Sequence, residues 1–137
     1  LSMHISFSLD NVSINSVKEF HKVFNLDFLE VPKANIGHEK NKLRFNLMKE
    51  ENEEYLNAAN NNDLIEVADA LGDMLYILCG TIIEHGFQYK IDEIFDEIQN
   101  SNMSKLDNDG KPIYREDGKV LKGPNYFKPN IEKILNS

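Results

Sequence analysis

The stretch DLIEVADALGDMLYILCGTIIEHG, residues 63–86, decides how the rest of the chain reads. Its apolar residues recur at helical spacing, yet acids stand where a buried helix normally places hydrocarbon. At about 100° per residue, Glu66, Asp69, Asp73, Ile77 and Gly80 fall within one arc. Leu64, Leu71, Leu75 and Leu78 fill the neighbouring sector, so an acidic stripe borders an apolar one. Asp69 and Asp73 repel at i, i+4, and no basic residue lies between Asp63 and His85 to offset them. Burying them unpaired is costly, and a divalent cation removes the burial and repulsion penalties together.

Upstream, LRFNLMKEENEEYLNAA (residues 43–59) repeats the pattern. Leu43, Leu47, Glu50, Glu54 and Ala58 share a face, with Glu51 one step round it. The turn Asn60-Asn61-Asn62-Asp63 is short enough to force the two helices antiparallel. Two apolar helices with carboxylates in their shared seam suit a hard cation. Ligands that are all oxygen point to Mg²⁺, with Mn²⁺ or Ca²⁺ as relatives, rather than zinc. A di-iron bundle needs a Glu-x-x-His pair on each of two helices, and no such tetrapeptide occurs. Glu66 has a plainer account as well, because Asp63 and Glu66 have capping-box spacing.

The remaining elements are shorter. Residues 1–12 contain an alternation, His4 to Leu9, suited to a strand or extended arm. A first helix is expected after Ser16, which with Glu19 has capping-box spacing, and Val17, Phe20 and Phe24 make its apolar stripe. His21 on that side reads as a packed or solvated histidine. The second helix is expected from Gly37–Glu39 to Ala59 and the central one from Asp63 to His85, with Gly86 just past its end. A fourth is expected over Lys90–Asn100, burying Ile91, Ile94, Phe95 and Ile98 and solvating Asp92, Glu93, Asp96 and Glu97. Beyond Asn102, two Asp-Gly turns predict that residues 113–115 and 120–122 pair as a small hairpin. Lys105–Glu116 imitates a calcium loop but has Lys105 where the first acid belongs.

The expected architecture is therefore all-α: an antiparallel bundle of four main helices with a hairpin-like C-terminal tail. One domain over residues 1–137 is expected, with an arm at 1–12 and a Lys-rich tail at 103–137. Residues 1–102 hold 8 basic and 18 acidic side chains, and residues 103–137 hold 7 and 5. The net charge of −8 argues against nucleic acid held by general phosphate attraction. No apolar run is long enough to span a bilayer, and the single cysteine, Cys79, suits a reducing compartment, so a cytoplasmic protein is expected. The apolar surface of the central helices exceeds what one thin chain covers, which predicts a homodimer or a dimer of dimers.

Glu50-Glu51-Asn52-Glu53-Glu54 followed by Glu66-Val67-Ala68-Asp69 resembles the E-E-x-x-E … E-x-x-D signature of the MazG-type all-α nucleotide pyrophosphohydrolases. Asn102-Met-Ser-Lys105 and the segment Gly118 to Tyr126 resemble the tail of a small branch acting on nucleoside triphosphates, dUTP among them. Asp73-Met-Leu-Tyr76 resembles the equivalent stretch of phosphoribosyl-ATP pyrophosphohydrolases, so Asp69 and Asp73 compete for the role of last ligand. The resemblance implies Mg²⁺ held by carboxylates among Glu50, Glu51, Glu54, Glu66, Asp69 and Asp73. It implies hydrolysis of a nucleoside triphosphate between the α- and β-phosphates, with Glu50 or Glu51 handling the water. Asn102, Lys105, Lys119, Lys122 and Tyr126 would then contact substrate, the lysines at phosphate oxygens and the tyrosine on a base. A non-catalytic, metal-stabilised helical module is the alternative.

Overall fold

The computed structural model describes residues 13–137. Five α-helices occur among the described residues: α1 (Asn15–Val23), α2 (His38–Asn60), α3 (Leu64–Glu84), α4 (Ile91–Met103) and α5 (Ile131–Leu135). The chain divides into two compact units, Leu1–Tyr89 and Lys90–Ser137. The arm expected at residues 1–12 lies outside the described residues.

In the first unit, α2 and α3 pack along each other and α1 packs on α3. All three helices stop in the same way. Beyond α3, Gly86 takes φ 79°, its N–H reaches Ile83 O at 3.1 Å and the Phe87 N–H reaches Ile82 O at 2.9 Å. That paired closure satisfies the orphan carbonyls of the last turn. A β-carbon at Gly86 would also strike the Val31 carbonyl oxygen, so this position excludes a side chain twice over. Asn62 performs the same closure after α2 and Asn25 after α1, at φ 53° and 55°. Asparagine tolerates this left-handed conformation better than most residues. At its start, α3 is capped by Asp63, whose Oδ1 accepts the Glu66 N–H at 3.2 Å. The expected capping role of Asp63 is met.

The start of α1 differs from expectation. Ser16 is not its cap: the helix begins at Asn15 with Ile14 in the cap position and no side-chain cap. Burial decides that start, because Ile14 and Val17 are each only 1% exposed. The expected stripe is partly displaced as well. Val17 and His21 are buried, while Phe20 and Phe24 stack on each other at 4.4 Å on the surface. The loop between α1 and α2 is tied to the far end of α3. Leu29 N–H donates to Ile83 O at 3.0 Å, Lys33 N–H to His85 O at 2.9 Å, and Gln88 Nε2–H to Leu29 O at 2.6 Å.

In the second unit α4 runs three residues past its expected end and buries little. Phe95 is 62% exposed, Ile98 is exposed too, and Ser101 is its one buried residue. Glu97, expected on the solvated side, is half-buried and accepts the Asn130 N–H that opens α5. The tail turns back on itself at the expected place, but the pairing is shifted by one residue from 113–115 against 120–122: Tyr114 bridges Val120, Arg115 N–H reaches Lys119 O at 2.8 Å, and Leu121 N–H reaches Ile113 O at 2.8 Å. It remains a single bridge rather than two strands.

Candidate functional site

The face of α2 that meets α3 is not the one its leucines suggest. Arg44 and Ala58 are buried and Leu47 and Glu51 half-buried, whereas Leu43, Glu50 and Glu54 are exposed. Residues 44, 47, 51 and 58 recur every three, four and seven positions, so they form one stripe. Of the two glutamates left as alternatives for handling the water, Glu51 is half-buried in the seam and Glu50 is exposed.

The antiparallel helices match these positions in turn. Arg44 meets Ile77, Thr81 and Glu84. Leu47 shares a cavity wall with Ile77. Glu51 is close enough to Asp69 and Asp73 for their charges to act on it. Glu54 and Glu66 line one open cleft of about 330 Å³ with Asn57, Asn61 and the cap residue Asp63.

The two ends of this seam carry opposite electrostatics. At the Arg44 end every charge has a partner. Arg44 Nη1 pairs with Glu84 Oε2 as an ion pair at 2.7 Å, while Nε–H donates to Thr81 Oγ1 at 3.1 Å and Nη2–H to Ile77 O at 2.9 Å. His21 Nδ1–H donates to Val17 O at 3.0 Å, and its Nε2 stands 3.3 Å from Glu84 Oε2. His21, Arg44 and Glu84 are all buried. None of the three was singled out from sequence as a functional residue. A usable signal existed in Glu84, an acid directly after Thr81-Ile82-Ile83 at the most apolar end of α3.

At the other end, acid faces acid. Burial first, then the hydrogen bond and charge of Glu54 and the charges of Asp73 and Asp69, push the Glu51 carboxyl up to about 7. Glu51 Oε2 is shielded from solvent and has no hydrogen-bond partner. Asp69 and Asp73 themselves are exposed, against the expectation that they lie buried in the helix. Among the described residues, no three histidine, cysteine, aspartate or glutamate side chains group as ligands around a point. The carboxylates share one seam. An all-oxygen donor set with a buried, orphaned acceptor fits a hard divalent cation, whose charge would offset the crowding that raises Glu51.

One helical turn further along the seam is a cavity of about 270 Å³. Its walls include Phe20, Leu47, Tyr76 and Ile77, and Arg44 and His21 also line it. Phe20 meets Tyr76 edge-on at 5.7 Å. The wall is mainly apolar and aromatic, which suits a flat ring better than a phosphate.

The tail candidates all lie in the second unit. Asn102 O accepts the Lys105 N–H, and Lys105 O accepts the Gly123 N–H at 2.9 Å, which sets Asn102 and Lys105 beside the 122–126 turn. Lys122 Nζ lies 4.7 Å from the Tyr126 ring centroid, so cation and aromatic engage each other. Lys119 is exposed, its N–H held by Asp117 Oδ1 at 3.1 Å. Cys79 is buried and unpaired, and burial pushes its thiol up. Among the described residues, no helix is long and apolar enough to cross a membrane.

Comparison with known proteins bears on this geometry. The phosphoribosyl-ATP pyrophosphohydrolase family profile matches residues 17–102, which include most of α1, the whole α2–α3 seam and most of α4. A solved structure of an Exiguobacterium sp. 255-15 protein, named as a candidate NTP pyrophosphohydrolase, is 23% identical with a TM-score of 0.48. It covers 91% of this chain and 92% of its own, a likeness too low to carry an argument about the site. No curated protein matches the chain.

Proposed function

The chain belongs to the phosphoribosyl-ATP pyrophosphohydrolase family and is a nucleotide pyrophosphohydrolase; on that premise we propose that it hydrolyses a nucleoside triphosphate between the α- and β-phosphates in a Mg²⁺-dependent reaction, giving nucleoside monophosphate and pyrophosphate. The observation that carries this reading is Glu51, whose buried, orphaned Oε2 stands in a seam it shares with Glu54, Asp69 and Asp73.

Glu51, Glu54, Glu66 and Asp69 are the residues that would hold the cation, with Asp73 adjoining and Glu50 on the outward side. Held by these residues, Mg²⁺ would supply neutralisation of phosphate charge and polarisation of the phosphorus under attack. Glu51 orients the water and takes its proton, since it faces the seam where Glu50 does not. The cavity walled by Phe20 and Tyr76 takes the base, one turn from the carboxylates. Lys105, with Lys119 or Lys122, meets the phosphate oxygens left uncovered by metal, as discrete cations do. Asn102 and Tyr126 assist there. A deoxynucleotide such as dUTP is the preferred class on the resemblance of the tail. Phosphoribosyl-ATP is the second reading, favoured by the family match itself.

A homodimer or dimer of dimers completes the bundle. Leu64 is 82% and Ile65 78% exposed, and Leu71, Leu75, Leu78, Phe45 and Leu56 are exposed beside them on the central helices. Apolar surface of that extent supports an interface between copies. Light scattering that gives a stable, folded species of about one chain mass at micromolar concentration overturns the dimer.

The test of activity is a panel of common NTPs and dNTPs, dUTP and phosphoribosyl-ATP, with Mg²⁺, scored for pyrophosphate. Release from at least one, lost in Glu51→Gln, is the expected result. Protein that binds Mg²⁺ but releases pyrophosphate from none is the metal-stabilised module instead.

A further inference from the structure

The hydrogen bonds between α2 and α3 among the described residues all come from one side chain, Arg44. Away from the carboxylates, the rest of the seam is lined by apolar residues, including Leu47, Ala58, Ala70 and Ile77, which are buried or half-buried. Such contacts are non-directional and specify the offset of one helix on the other less sharply than hydrogen bonds do. A planar guanidinium bound at three points cannot follow a slide of one helix along the other. Its acceptors at Ile77, Thr81 and Glu84 are spread along two turns of α3, so the fork fixes both the axial offset and the rotation of one helix against the other.

That fork lies seven residues, two turns, before Glu51 on the same stripe of α2. Its nearest acceptor, the Ile77 carbonyl, lies one turn beyond Asp73 on α3. A shift of one residue moves a helix about 1.5 Å along its axis, and one turn about 5.4 Å. Either exceeds the tolerance of a metal's ligand set, which is a few tenths of an ångström. Gly80 makes the arrangement possible: a β-carbon there would stand 2.6 Å from Arg44 Nη2 and 3.3 Å from His21 Cε1. Glu84 completes the clamp by taking Arg44 and His21 on one carboxylate oxygen, which ties α1 to the same point.

We infer that Arg44 is a positioning residue whose three-point grip on α3 sets the register of the two carboxylate helices, and with it the geometry in which Glu51 and Glu54 meet Glu66, Asp69 and Asp73 around a divalent cation. The inference rests on the metal-dependent reading above. A residue needed for packing alone would change how much protein is folded and leave the affinity of the folded fraction unchanged.

The experiment measures Mn²⁺ binding to the full chain by electron paramagnetic resonance, beside helix content and Mg²⁺-dependent pyrophosphate release. The variants are Arg44→Met/Glu84→Gln, Arg44→Lys and Gly80→Ala. The double variant removes the fork without leaving a buried carboxylate uncompensated. Arg44→Lys keeps the charge but offers one ammonium for three acceptors. Gly80→Ala pushes the guanidinium aside and alters no charge. Each folded variant is expected to bind Mn²⁺ about 10- to 100-fold more weakly, the range for losing a residue that orients metal ligands. Lysine is expected not to rescue, and kcat is expected to fall with the loss of affinity. Folded variants that bind Mn²⁺ within about twofold of the parent overturn the inference while the metal reading stands. A parent that binds no Mn²⁺ overturns both. If the double variant does not fold, Gly80→Ala and Arg44→Lys decide by the same criterion.

Discussion

The two ends of the α2–α3 seam are made by the same pair of helices and treat charge in opposite ways. At one end Arg44, Glu84 and His21 are buried and satisfied by one another and by Thr81 and the Ile77 and Val17 carbonyls. At the other, Glu51 stands among Glu54, Asp69 and Asp73 with one oxygen shielded and unbonded. The first arrangement is complete as folded. The second gains only if something positive arrives. Stability and function thus divide along a single seam, and substitutions at the two ends should move different observables.

The largest expected effect is on catalysis at the acidic end. Glu51→Gln keeps the volume and removes the base and a ligand charge. Pyrophosphate release should fall by about 10²- to 10⁴-fold, the usual range for losing a general base, while the metal-free protein stays folded. A variant that loses helix content along with activity would show that Glu51 serves the fold instead, and the contrast between the ends would collapse.

Breaking the compensated end should do the reverse. Glu84→Ala leaves Arg44 and His21 buried without their carboxylate, and removing one partner of a buried pair costs about 3–5 kcal/mol. Denaturant unfolding should show that loss directly. A change below about 1 kcal/mol would mean water reaches the site as soon as Glu84 is cut back.

How much of this contrast is legible in the sequence follows from where each signal resides. Gly37, Asn62, Asp63 and Gly86 fix the ends of α2 and α3 locally, so those boundaries read off well. The acidic end reads off in part: the recurrence of its carboxylates at helical spacing places Glu51, Asp69 and Asp73 near one another, but not the exposure of Asp69 and Asp73 or the outward turn of Glu50. The inward face of α2 does not read off. Hydropathy favours Leu43 over Arg44, and the face through Leu43 carries Glu50 rather than Glu51, while an arginine turned inward makes sense only beside Glu84, forty residues away. The same limit applies to α4: Ile91, Ile94, Phe95 and Ile98 mark a helix with an apolar side, but nothing local says what covers it. Phe20 and Phe24 fail similarly, since two aromatics can satisfy each other at the surface.

A third expectation concerns pH. Glu51 has an ordinary value of 4.5 and is raised to about 7 in the fold, so between those values the native state keeps a proton that the unfolded chain has released. Stability of the metal-free protein is therefore unaffected by this group below about 4.5 and falls as pH rises toward about 7. Asp27, beside Lys40, and Asp117, beside Arg115, are depressed, and their contributions are lost only as pH falls well below that window. Thermal melts between about pH 5 and pH 8 should slope downward in chelator and flatten in Glu51→Gln or with Mg²⁺. A slope that Glu51→Gln leaves unchanged would assign the dependence elsewhere.

The smallest effect has the most informative sign. Asp69 and Asp73 sit at i, i+4 on an exposed face, where like charges cost a few tenths of a kcal/mol. Asp69→Asn removes that repulsion and one of the charges pressing on Glu51. In chelator at low salt the variant should therefore be more stable than the parent by about 0.2–0.5 kcal/mol. At about 1 M salt, where charges are screened within a few ångströms, the difference should shrink toward zero. Adding Mg²⁺ should reverse the order, because the parent gains ligand-linked stability that the variant has largely lost. Only an acid that serves a cation gives all three signs. A surface acid gives the first two without the reversal, and an acid engaged in a structural bond gives a loss in chelator from the start.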